Sequence, residues 1–114
     1  MIYKSKFRSL CALLMLLLCP TLVFANQNTG PVIVTAVENW SGGDGLFVYT
    51  DQQTKTNPAN CSYTGNYVTS SNIKDVFRTM LLSAHMAGKK VQFTIYSGGC
   101  GSSRPVIVAI KTLQ

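Results

Sequence analysis

The spacing of apolar residues changes twice along the chain, and each change marks an element. Residues 31–38 are dense in β-branched side chains (Val32, Ile33, Val34, Thr35, Val37) and predict a first strand. Residues 46–50 (Leu-Phe-Val-Tyr-Thr) predict a second. Ser41, Gly42, Gly43, Asp44 and Gly45 lie between them, so the two strands form a hairpin closed by turn-forming residues. Residues 26–30 are polar and read as a loose arm, and 51–60, with Pro58, as a solvent loop. Residues 61–68 read as a weaker third strand, bulged at Gly65. The period then lengthens. Ile73, Val76, Phe77, Met80, Ala84 and Ala87 recur every three or four residues and predict one apolar face of a helix over 73–87, capped by Ser71 or Asn72. Gly88 ends it, with Lys89 and Lys90 beside the negative end of the helix dipole. Strict alternation returns in Val91, Phe93 and Ile95, a fourth strand over 91–96. Residues 98–101 (Gly-Gly-Cys-Gly) read as the turn into a fifth strand over 106–110 that ends near Leu113.

Three strands, a helix and two strands make a mostly β (α+β) chain. That is the linear order of a five-stranded oligonucleotide/oligosaccharide-binding barrel, with one helix between strands 3 and 4. Other small α+β sandwiches share this linear order. No internal repeat or low-complexity run divides the chain, which reads as one domain over residues 26–114.

The first 25 residues read differently. Lys4, Lys6 and Arg8 precede an apolar run over 10–18, Pro20 breaks it, and Val23-Phe24-Ala25 suits a signal peptidase. The run is short for a membrane span of ~30 Å, so we expect a signal peptide over 1–25, a secreted or periplasmic product, and no membrane span after cleavage. Removing it lowers the formal charge of +6 to +3, with seven basic and four acidic residues left. So small an excess, with no basic stripe, argues against nucleic acid as a partner.

Cleavage also leaves two of the four cysteines, Cys61 and Cys100. Two cysteines and one histidine are too few for a metal site, so no metal is expected, and an oxidising compartment favours a disulfide. The closed loop of 39 residues corresponds to about 4 kcal/mol by chain entropy, useful to a domain with a limited core.

No catalytic residue is proposed. His85 is the only histidine and shares its helix with Asp75, the four acids of the mature part are scattered, and the glycine-rich turn lacks the lysine of a phosphate loop. A non-enzymatic protein without cofactor is expected. Two features point to binding. At 100° per residue Leu82 and Met86 project away from the apolar helix face, with Arg78 flanking them, and form a candidate interface between copies. Trp40, Tyr49, Tyr63, Tyr67 and Tyr96 are amphipathic rings of a kind suited to packing on the C–H face of a sugar, although they also suit ordinary strand packing; Trp40 and Tyr49 are the glycan candidates among them. Trp40, beside the glycine-rich turn, is the best candidate for an exposed platform.

Residues 73–95 (IKDVFRTMLLSAHMAGKKVQFTI) resemble the helix–glycine–strand segment of the binding (B) subunits of AB5 toxins, in the subtilase-cytotoxin and pertussis-like group. A second, thinner similarity covers 29–35 (TGPVIVT). Related small secreted bacterial domains with an OB-like fold share the same pattern. The resemblance implies a signal peptide, an OB fold and a helix-lined homopentamer that binds a cell-surface glycan and carries a toxin A subunit. It places Thr29 in a sialic-acid pocket. His85, a further glycan candidate, departs from that family, which tends to have an aromatic residue at this position, three residues before the helix-ending glycine. The alternative expectation is a monomeric or dimeric secreted or periplasmic interaction domain of unknown ligand.

Overall fold

The computed structural model describes residues 25–43 and 45–114. The expected signal peptide, Ala25 apart, lies outside them. The elements are β1 (Gln27–Asn39), β2 (Leu46–Thr50), β3 (Tyr67–Thr69), α1 (Asp75–Ala87), β4 (Lys90–Gly101) and β5 (Arg104–Thr112). The chain is mostly β with one helix. Among the described residues, no helix is long and apolar enough to cross a membrane.

β1 pairs antiparallel with β4 through its first half (Gln27↔Ile95 to Ile33↔Lys90) and with β2 through its second (Val34↔Thr50 to Asn39↔Leu46). β2 pairs antiparallel with β3, β3 lies parallel to β5, and β5 is antiparallel to β4. The order β1-β2-β3-β5-β4 therefore returns to β1, so that each strand has two neighbours. Two bulges let β1 serve two partners. The register slips between Asn28 and Pro31 and again between Val34 and Ala36. A bulge interrupts ladder hydrogen bonds and bends its strand, and at each of these a side chain contributes a bond.

Strand alternation sends Val32, Val34, Val48, Val91, Phe93, Ile95 and Ile107 inward, where they meet Tyr67 and the helix residues Leu81 and Ala84. The helix packs on β1 and β5. It ends at Gly88, whose left-handed φ of 64° lets its own N–H and that of Lys89 reach the last carbonyls.

Several sequence expectations change. The polar arm is strand: β1 begins at Gln27, Asn28 Oδ1 accepts from Thr94 Oγ1, and Asn26 Oδ1 accepts from the Ser97 backbone N–H. Ladder and side-chain hydrogen bonds order this stretch without apolar burial. The third strand shrinks to three residues, because 61–66 carries its own irregular contacts: Asn57 clasps Cys61 through both amide atoms, and the Tyr63 N–H donates to the Ser103 carbonyl. The turn expected at 98–101 falls at Ser102 and Ser103, both with positive φ (49° and 65°), as a two-residue hairpin turn requires. β4 continues to Gly101, and the glycines instead serve a bulge in which Ile95 faces Ile107 but Cys100 faces Pro105.

The helix starts at Asp75, with Lys74 as its N-cap and no side-chain cap from Ser71 or Asn72. Its inner face is rotated from the one expected. Leu81 is wholly buried, whereas Val76 is 64% exposed and Ala87 is exposed. Both stripes satisfy a 3.6-residue period. The surface presented by β1 and β5 selects the one containing Phe77, Leu81 and Ala84.

Candidate functional site

The β1–β2 hairpin places alternate residues on its outer face. Val48 and Thr50 point inward, so Phe47 and Tyr49 remain half-buried outside, and the register sets Phe47 beside Glu38 and Tyr49 beside Ala36. Period two also carries Trp40 to the end of the Glu38 row. The turn closes through the Gly43 N–H donating to the Trp40 carbonyl at 2.9 Å. A Cβ at Gly43 would lie 3.3 Å from that oxygen and 3.4 Å from the Trp40 Cβ, so glycine lets the tryptophan backbone sit close. The indole Nε1–H donates to Glu38 Oε1 at 2.6 Å, and Trp40 remains 64% exposed. Its ring is thus oriented by a bond along its edge rather than by burial.

Arg104 reaches the same place from the other end of the chain. It opens β5 directly after the Ser102–Ser103 turn. Its Nε–H donates to Oδ1 of the buried Asn66 at 2.6 Å, and Nη1 donates to the Ser102 carbonyl at 2.7 Å. The guanidinium carbon lies 4.8 Å from the Phe47 ring centre and 4.4 Å from that of Tyr63, within cation–π range. Among the described residues the ion pair formed is Arg78–Asp75, and none of their carboxylates pairs with Arg104. The two hydrogen bonds leave part of its five-donor fork unused.

Glu38, Trp40, Phe47, Tyr49 and Arg104, with Gly42 and Gly43, line a groove of about 570 Å³. That is the volume of an ordinary small-ligand site. Its chemistry is an exposed indole face, a tyrosine, a carboxylate acceptor and a guanidinium donor. These can stack on the apolar face of a sugar-sized molecule and hydrogen-bond its hydroxyls or an acidic group. Among the described residues no three His, Cys, Asp or Glu side chains cluster as metal ligands.

A second groove, of about 580 Å³, lies on the other side of the turn and shares Gly43 with the first. Arg78, Leu82 and His85 line it from the helix, and Val37, Asn39 and Leu46 from the hairpin. His85 Nδ1 lies 2.9 Å from the Val34 carbonyl at the β1 bulge. A carbonyl only accepts, so Nδ1 carries the proton and the ring latches the helix to β1. Leu82 is 45% and Met86 84% exposed. The Arg78–Asp75 pair, 3.4 Å apart on the surface, adds little stability.

Of the candidate glycan residues, Trp40 and Tyr49 share the first groove, and His85 joins the interface candidates Arg78 and Leu82 in the second. Thr29 lines neither. Its hydroxyl accepts from the Phe93 N–H at 3.1 Å and donates to the Gly30 carbonyl at 2.7 Å, contributing to the sheet at the first β1 bulge. Cys61 and Cys100 are joined, with Cα atoms 5.8 Å apart. Glu38 and Phe47 escaped the sequence reading, although each lies two residues from a residue that reading singled out and so on the same strand face. Arg104 and Asn66 left no such signal and Tyr63 only that of an amphipathic ring, since strand order alone brings the three to Phe47. The chain matches no family model and no curated protein.

Proposed function

We propose that this chain is a secreted or periplasmic, non-enzymatic binding protein on an OB-type five-stranded barrel, and that its ligand is a saccharide held in the Trp40–Arg104 groove. The observation that carries the reading is the groove itself. An exposed, edge-oriented indole stands in one cleft with a guanidinium that has donors to spare. On an OB barrel the loops between strands 1 and 2 and between strands 4 and 5 flank the ligand face. Here those loops supply Trp40 and position Arg104. The reading agrees with the similarity to AB5 binding subunits, and moves the sugar contact from Thr29 to Trp40, Tyr49, Glu38 and Arg104. In such an assembly Leu82 and Met86 form the contact between copies in a ring, and a toxin A subunit is the cargo.

A glycan array probed with the oxidised mature protein tests the site. Binding to a defined saccharide class is expected, weakened about 30-fold in Trp40→Ala, as for an aromatic anchor worth ~2 kcal/mol. An array on which the wild type binds nothing would refute the saccharide reading. Native mass tests the ring: five copies, dissociated by Leu82→Glu, are expected. A clean monomer at micromolar concentration would leave an interaction domain acting alone.

A further inference from the structure

We propose that the Cys61–Cys100 disulfide positions the ligand groove rather than the barrel core, so that reducing it loosens the Arg104 side of the groove while the barrel stays folded. The ligand part of this inference rests on the groove reading above; the structural part does not.

Neither cysteine belongs to the shared apolar core. Cys61 is buried, but in the irregular segment between β2 and β3; Cys100 is exposed and sits past the bulge that separates the Ile95↔Ile107 and Cys100↔Pro105 pairs. The ladders joining β1, β2, β3, β4 and β5 do not depend on the bridge for any hydrogen bond. What the bridge does join is the two arms of the Arg104 stack. Tyr63 follows Cys61 by two residues, and Arg104 follows Cys100 by four. Tyr63 is otherwise tied to this end of the molecule by one backbone hydrogen bond, to the Ser103 carbonyl at 2.9 Å, and by its half-exposed ring over the guanidinium. The segment's other anchors, Thr56 to the Tyr67 hydroxyl and Asn57 to Cys61, lie on the far side of the cysteine in sequence. Opening the bridge therefore frees the stretch that carries Tyr63 and removes one aromatic wall from Arg104. Asn66 and Phe47 remain to hold the guanidinium on the other side.

Exposure of Cys100 makes the bridge open to thiol–disulfide exchange. A dithiol reductant attacks as its thiolate, forms a mixed disulfide with one cysteine and expels the other as thiolate. Its second thiol then closes the reductant's own disulfide. Two electrons and two protons pass to the protein, and Cys61 and Cys100 end as thiols.

The test is NMR of the mature protein before and after dithiothreitol, with free thiols counted to confirm complete reduction. Ring currents from Phe47 and Tyr63 displace the Arg104 side-chain resonances in the oxidised state. On reduction these are expected to move to the positions seen in oxidised Tyr63→Leu, while the methyl signals of Val32, Val48 and Ile107 stay in place. Unmoved Arg104 resonances would overturn the proposal, as would collapse of the core methyl signals together with them. The Cys61→Ser/Cys100→Ser double variant repeats the comparison without reductant. On the glycan array, reduced protein is expected to bind the oxidised protein's saccharide at least about tenfold more weakly, and equal binding would overturn the control of the site. Should the oxidised protein bind no saccharide, the groove reading fails, and the resonance shifts still decide what the bridge positions.

Discussion

Tyr67 offers a sharp test of how the short third strand is held. Its ring is wholly buried and tilts against Phe93, with centroids 6.3 Å apart. Its hydroxyl donates to Gln52 Oε1 at 2.8 Å and accepts from the Thr56 N–H at 2.8 Å, tying the loop after β2 to the barrel. Tyr67→Phe keeps the ring and deletes both bonds. At a net ~1 kcal/mol each the loss is about 2 kcal/mol, roughly 8–16 °C in Tm for a domain of this size. Burial also raises the hydroxyl's pKa above its ordinary value of 10.0, with hydrogen bonding from Thr56 pulling it partly back. The unfolded chain ionises near pH 10 while the folded chain holds its proton. This contribution is therefore complete below pH 10 and is lost as pH rises from there through the folded-state value. Urea unfolding followed by far-UV circular dichroism, at neutral pH and in steps to about pH 11, reads both effects. The wild type should lead by about 2 kcal/mol at neutral pH, and its lead should narrow above pH 10 because the phenylalanine variant has no proton to lose. A neutral-pH gap below about 0.5 kcal/mol, or a gap that stays constant into the alkaline range, would refute the reasoning.

Two further substitutions probe the helix face and the hairpin. Leu81→Ala empties a fully buried position between helix and sheet and should cost about 3 kcal/mol in urea unfolding, whereas Val76→Ala, on the exposed stripe, should stay within about 0.5 kcal/mol; equal costs would mean that the helix packs by the other face. Gly45→Ala forces a side chain onto a residue with φ 139° and drives its Cβ into the Thr69 carbonyl, so it should lower stability by more than about 1 kcal/mol, and a neutral result would show that the β2–β3 approach is looser than described.

The same residues show how far the sequence could be read. β-Branched and apolar density identified β2 whole and the middle of β1 and β5, and alternation the first half of β4, because a strand's two faces are written two residues apart. The glycine at the helix end was equally legible, since its left-handed conformation is a local requirement. The disulfide followed from arithmetic once the expected signal peptide was set aside, because only one pairing remained. The helix face was ambiguous: Val76 and Leu81 belong to two apolar stripes of similar strength, and only the surface under the helix chooses between them. The turn at Ser102 and Ser103 was hidden by the glycines before it, which serve a bulge.

The groove divides along the same line. Trp40 and Tyr49 were readable as exposed-ring candidates from one hairpin, and that hairpin is local. Arg104 comes from one other stretch and Tyr63 and Asn66 from a second, and nothing in their neighbours says that they meet. Their meeting depends on β2 pairing with β3, as in Val48↔Tyr67, and on β3 lying parallel to β5, as in Val68↔Val106, both of them contacts between distant parts of the chain. Thr29 and His85 stood out as glycan candidates only through the family resemblance, yet the bulges of β1 turned both toward hydrogen bonds with the sheet. Side-chain type and period are properties of a residue and its neighbours, so the sequence by itself determined the elements and the one disulfide. Register and strand order are properties of the closed sheet, and they decided which helix face is buried and which side chains share a cleft.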